Sequence, residues 1–90
     1  MEFEWHDAKR RSNLAKHGID FRTASQLFDD RPTWTARSAY PDEERYLTVG
    51  AIAGRFVAVV WTWRGQAIRL ISARRASDAE QRTYRSLHGG

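Results

Sequence analysis

The chain has no cysteine. Disulfides, thiolate metal sites and thiol catalysis are therefore excluded. Proline occurs only twice, at Pro32 and Pro41, so hard breaks in regular structure are few. No apolar run approaches the ~18 residues that a membrane span needs. The opening stretch MEFEWHDAKRR has no apolar core of the kind a secretory signal carries. These absences point to a cytoplasmic chain with no membrane partner. Internal repeats, low-complexity tracts and linkers are also missing, and 90 residues leave room for one domain, 1–90. A domain this small buries only about 60–65% of its unfolded surface, so its four Trp, four Phe and three Tyr carry much of the packing.

Acidic residues are scarce in one half. Residues 46–90 hold seven Arg, no Lys, and only Asp78 and Glu80, a net charge of +5. Residues 1–45 hold eight basic and nine acidic groups, net −1. Arg suits bidentate phosphate contact, so a basic half suggests a polyanionic partner such as nucleic acid. The plainer reading is an Arg-rich surface that only confers solubility. Charge alone does not separate the two.

Hydrophobic period divides the chain. Phe3 and Trp5 are apolar points of a short N-terminal arm. Asp7 is expected to cap a helix over 8–17, with Gly18 as its left-handed stop. Asp20 is the next expected cap. Phe21, Ala24, Leu27 and Phe28 then mark a second amphipathic helix that ends before Pro32. Residues 33–38 read as a weak strand, 39–44 as a polar loop, and 45–51 as an alternating strand. A turn at Ala53-Gly54 leads to RFVAVVWTW, residues 55–63, apolar on both faces like a central strand. In that strand Trp61 and Trp63 are both assigned to the core. Arg64-Gly65 signals a hairpin, and 66–74 a further strand. Ser77 with Glu80 forms a capping box for a last helix to about Leu87. The expected fold is α+β: two N-terminal helices, a four-stranded antiparallel sheet and a C-terminal helix.

Two blocks carry a resemblance. The first is FEWHDAKRRSNLAKHG, residues 3–18, with Phe3-Glu4-Trp5, Lys9, Asn13, Lys16-His17-Gly18 and then Phe21. The second is IRLISARRASDAEQRTY, residues 68–84, with Ile68-Arg69, Ile71 to Ala76, Glu80 and Tyr84. Phe28-Asp29-Asp30 and Glu44-Arg45 match as well. Together they resemble the BrnT family of bacterial type II toxins. One departure stands out: the family usually has Asp directly after the Trp, and here it is His6. The resemblance implies a RelE-like fold, ribonuclease activity and inhibition of translation, with mRNA as substrate, free or ribosome-associated. It also implies a BrnA-like ribbon-helix-helix antitoxin, in a complex of two toxins and two antitoxins that binds operator DNA through the antitoxin.

Cleaving RNA without a metal needs a base for the 2′-OH, a cation for the phosphorane and an acid for the leaving oxygen. The three His are scattered and the basic half has two acids, so no cofactor and no metal are expected. Lys9, Asn13, Lys16 and His17 fall on roughly a 100° stripe of the first helix. His17 is the residue type that exchanges a proton near neutral pH. Alternatively, Lys16 and His17 simply complement the negative helix end before Gly18.

Arg69 is flanked by apolar residues, so it must face solvent or a partner; Glu80 or an acid of the first helices would serve. Strict alternation puts Arg69, Ile71, Ala73 and Arg75 on one face, and Ser72 and Arg74 on the other. Arg69 and Arg75 could then grip one phosphate track, while Arg74 and Arg75 could equally be a solvated strand exit. Tyr84 either packs in the core or contacts RNA. The resulting assignment is Lys16, His17, Arg69, Arg75 and Tyr84 as catalytic candidates. Lys9, Arg64 and Arg74 are RNA-binding candidates, and Trp5 and Trp34 antitoxin anchors. A non-catalytic module that blocks translation by binding RNA or the ribosome is the alternative. A DNA-binding repressor is weaker, because no recognition-helix signature is visible.

Overall fold

The computed structural model describes residues 1–38 and 41–89. The elements run β1 (Phe3–Glu4), α1 (Asp7–His17), α2 (Phe21–Ala24), a 3₁₀ turn (Ser25–Phe28), β2 (Thr33–Ser38), β3 (Arg45–Ile52), β4 (Arg55–Arg64), β5 (Ala67–Arg75) and α3 (Asp78–His88). The expected loop at 39–44 lies partly outside the described residues, and its described part, 41–44, is irregular.

The sheet corrects the expected four antiparallel strands. It has five strands in the order β1-β5-β4-β3-β2, and β1 runs parallel to β5, with Phe3 opposite Ile68 and Glu4 opposite Arg69. A two-residue strand has no period of its own. Only its distant partner makes it a strand, so local pattern reads it as an arm.

The first helix begins one residue earlier than expected. His6 sits at the N-cap without a side-chain cap bond, and Asp7 is the first helical residue. Asp7 pairs instead with Arg10 at 3.2 Å and Arg11 at 3.7 Å. Asp20 does cap α2, accepting from the Arg22 N–H at 2.9 Å. The second helix is one α-turn that tightens into 3₁₀ at Ser25, which lets Leu27 and Phe28 face the sheet together.

Two clusters hold the layers together. On one face, Phe21 and Leu27 meet Ile52, Val57, Val59, Trp61, Ile68, Leu70 and Ala73. Burying each large side chain contributes about 1.5–3 kcal/mol before entropy is counted. On the other, α3 lies over Val49, Ala58 and Ala76, with Trp34, Leu47 and Phe56 beside them. Trp61 is core, donating to Thr48 Oγ1 at 2.8 Å. Trp63 is not: it is 47% exposed, braced edge-on against Trp61.

β5 breaks strict alternation. Val60 pairs with Ser72 but Trp61 with Leu70, so Ile71 is an extra residue in a β-bulge. Beyond it the side chains change face. Ile68, Leu70 and Ala73 share one core, which an unbroken period of two forbids. Arg75 therefore sits on the α1–α2 side and Arg69 on the other, correcting the expectation that the two share a face.

The β3–β4 and β4–β5 hairpins are two-residue turns. Ala53 (φ 50°) and Gly54 (φ 77°) are both left-handed, as a type I′ turn requires. The second turn is Gly65-Gln66 rather than Arg64-Gly65, with Arg64 still in β4.

One side chain joins helix and sheet. Asn13 is buried and its amide serves both backbone groups of Ala73, donating to the carbonyl at 2.8 Å and accepting the N–H at 3.1 Å. It also donates to the Ile19 carbonyl at 3.0 Å. Asn13→Ala leaves buried polar groups unpaired, each a loss of about 1–3 kcal/mol. We expect a total destabilisation of about 2–4 kcal/mol, read as a lower urea midpoint with an unchanged slope.

Candidate active site

The cavity of interest, about 420 Å³, lies where α1 ends. Its lining includes His17, Asp20, Thr23, Ile52, Arg55 and Arg75. Local structure explains the assembly. Gly18 adopts a left-handed conformation (φ 71°) and returns its N–H to the Leu14 carbonyl at 2.8 Å. That stop turns the chain back, so α2 starts against the sheet and His17 is left at the rim. The tight Ala53-Gly54 hairpin places Arg55 opposite Ile52, and β5 brings Arg75 opposite Val57.

The charges around the cavity are unequal. Asp20 is engaged twice, by the Arg22 N–H and by Arg10 Nη1 at 3.0 Å. Arg55 and Arg75 have no carboxylate within ion-pair distance among the described residues. Two unpaired guanidiniums beside an imidazole, over a floor of Ile19, Ile52 and Val57, suit an anion that must exchange a proton. Sequence reasoning missed Arg55. Its signal was available: alternation in RFVAVVWTW puts Arg55 in phase with Val57, and the turn at Ala53-Gly54 sets it beside the neighbouring strand.

A second groove, about 190 Å³, adjoins the first. It is lined by Lys9, Ser12, Asn13, Lys16, His17, Ile71 and Ser72. The helical stripe expected from spacing is therefore real for Lys9, Lys16 and His17. Asn13 is not available to a ligand, since Ala73 and Ile19 hold its amide.

The other candidates lie elsewhere. Arg69 meets Glu4 at 3.4 Å, a partner from β1 rather than Glu80 or a helix acid, and Arg64 reaches the same oxygen at 3.6 Å. Arg74 is neither a solvated strand exit nor a free cation: it forms a bidentate pair with Glu80 at 2.7 and 2.9 Å. Tyr84 packs edge-on against Phe56 at 5.0 Å, and its hydroxyl donates to the Pro32 carbonyl at 3.4 Å. Trp34 donates its indole N–H to the Glu80 carbonyl at 3.2 Å, and Trp5 packs against Phe21 at 6.1 Å. Both indoles are half-buried within the fold.

His17, Arg55 and Arg75 thus line one concave site. Residues 5–80 match the family model described as "Ribonuclease toxin, BrnT, of type II toxin-antitoxin system", and the chain belongs to this family. It is thus a toxin that acts on RNA and has an antitoxin partner. No curated protein matches the chain. Among the described residues no helix is long and apolar enough to cross a membrane.

The Arg74–Glu80 pair gives a pH prediction. Hydrogen bonds from Arg74 hold the Glu80 carboxyl at about 2, well below its ordinary 4.5, and Ser77 adds to the effect. A carboxyl depressed in the folded state contributes stability above the ordinary value, lost as pH falls toward about 2. Arg74 is 37% exposed, so solvent screening reduces the contribution to about 1–2 kcal/mol. Glu80→Gln should therefore lower the melting temperature at pH 7. The gap to wild type should close between pH 4.5 and 2, as followed by circular dichroism.

Proposed function

We propose that the chain is a metal-independent endoribonuclease toxin whose reaction takes place at the His17–Arg55–Arg75 cavity. The observation that carries this reading is the convergence, on a single concave site, of one imidazole and two guanidiniums that have no carboxylate partner among the described residues. Among the described residues no three His, Asp or Glu side chains gather closely enough to hold a metal ion.

The chemistry uses the substrate's own nucleophile. The ribose 2′-oxygen attacks the adjacent phosphorus, and the bond from phosphorus to the 5′-oxygen breaks. His17 takes the 2′-OH proton; the departing 5′-oxygen takes one from water, and the hydroxide left behind recovers the proton from His17. Arg55 and Arg75 offset the negative charge that builds on the phosphorane oxygens. The products are a 2′,3′-cyclic phosphate and a 5′-hydroxyl. Cutting mRNA this way inhibits translation in the cytoplasm.

Silencing follows from the same surface. A BrnA-like ribbon-helix-helix antitoxin, itself a dimer, places an acidic segment over Arg55 and Arg75 and excludes RNA. Two toxins and two antitoxins then make up the complex, with operator DNA held by the antitoxin.

We expect His17→Ala and Arg75→Ala each to lower the cleavage rate in EDTA by about 100-fold or more, with the fold intact by circular dichroism. Wild-type ends should be cyclic phosphates. Arg69→Ala provides the contrast, because its guanidinium lies on the opposite face. If Arg69→Ala abolishes cutting while Arg75→Ala does not, the reaction lies on that face. Activity that vanishes in EDTA and returns with magnesium refutes metal independence.

A further inference from the structure

The groove between α1 and β5 has no part in the chemistry above, yet it meets the cavity at His17, which lines both. We infer that this groove is a second nucleotide subsite: one RNA strand crosses the cavity, passes His17, and lays its neighbouring phosphates along Lys9 and Lys16. The inference rests on the proposed ribonuclease reading and adds the path of the substrate.

The groove exists because β1 is short. Its pairing ends at Glu4 opposite Arg69, and beyond that point α1 rather than a strand lies along β5. The bulged Ile71 and its neighbour Ser72 form one wall, and Lys9, Ser12 and Lys16 the other. Asn13 pins the two walls at Ala73 and keeps the groove narrow.

Its chemistry fits a single strand of RNA. Lys9 and Lys16 have no ion-pair partner among the described residues. Two turns of helix separate their backbones by about 10 Å along the axis, a spacing suited to neighbouring phosphates of one strand. Ser12 and Ser72 bring hydroxyls with no side-chain hydrogen bond among the described residues, suited to a ribose 2′-OH or a phosphate oxygen. Lys16, in the last turn, also offsets the negative end of α1, which would otherwise repel the strand.

The test separates strand binding from chemistry. Lys9→Ala, Lys16→Ala and the double variant keep a good helix former at exposed positions, so α1 is retained. Cleavage is measured on a dinucleotide and on single-stranded oligonucleotides of increasing length. Binding is measured by fluorescence anisotropy with a 2′-O-methyl oligonucleotide, which cannot be cut, across a salt series. The double variant should raise KM for long RNA by about 10-fold with kcat nearly unchanged, and lower the salt slope by roughly 0.7 for each phosphate that a lysine no longer neutralises. Dinucleotide cleavage should not respond.

An unchanged slope and affinity would overturn the subsite. So would a fall in kcat at constant KM, which would put Lys16 in the chemistry. A double variant that loses antitoxin affinity while keeping RNA affinity would assign the groove to the protein partner. Failure of the proposed reaction site shows separately, as cleavage that survives His17→Ala and Arg75→Ala.

Discussion

Asn13 joins the two layers on which everything else is built. A strand at a sheet edge presents backbone groups that need partners, and β1 covers β5 only as far as Arg69. The Asn13 amide supplies to Ala73 the donor and the acceptor that a neighbouring strand would have supplied. A side chain thus replaces a stretch of ladder, and α1 is locked along an edge that would otherwise be open to association. Because the same amide holds the Ile19 carbonyl, it also fixes the turn after Gly18 and hence the start of α2. The position of His17 is a consequence of this clamp.

The bulge at Ile71 determines which arginines meet. Without it Arg69 and Arg75 lie on one face; with it, each is sent to a different neighbourhood. The acidic residues then sort the cations further. Glu4 takes Arg64 and Arg69, and Glu80 takes Arg74. Arg55 and Arg75 are left to face the cavity. Part of the positive charge of the second half is therefore neutralised within the fold.

Aromatic residues follow the same pattern of local commitment. Trp61 lies between Phe28 and Tyr46, at 5.3 and 4.7 Å, and bonds Thr48. Trp34 fixes α3 through the Glu80 carbonyl, next to the Arg74 pair. Trp63 alone of the four keeps nearly half its surface in water. The indoles serve the fold first, as expected in a domain this small.

Much of this was legible in the sequence. The Gly18 stop, the Asp20 cap, the Ser77–Glu80 capping box and strands β2 to β5 are governed by local propensity and period, so a single segment suffices to read them. The lysines and His17 also share one side of α1 because helical spacing is a local rule. Family membership was legible too, in separated motifs matched in order. What tertiary structure decided is whatever depends on a partner far along the chain. Phe3–Glu4 is a strand only because Ile68 and Arg69 lie beside it. Asn13 is a clamp rather than a ligand because Ala73, 60 residues on, presents its backbone there. Arg55 joins His17 and Arg75 only once two hairpins close. Local sequence encodes the elements, but one unpaired residue at a bulge reverses a face, and pairing across the sheet decides which charges are neutralised and which stay free.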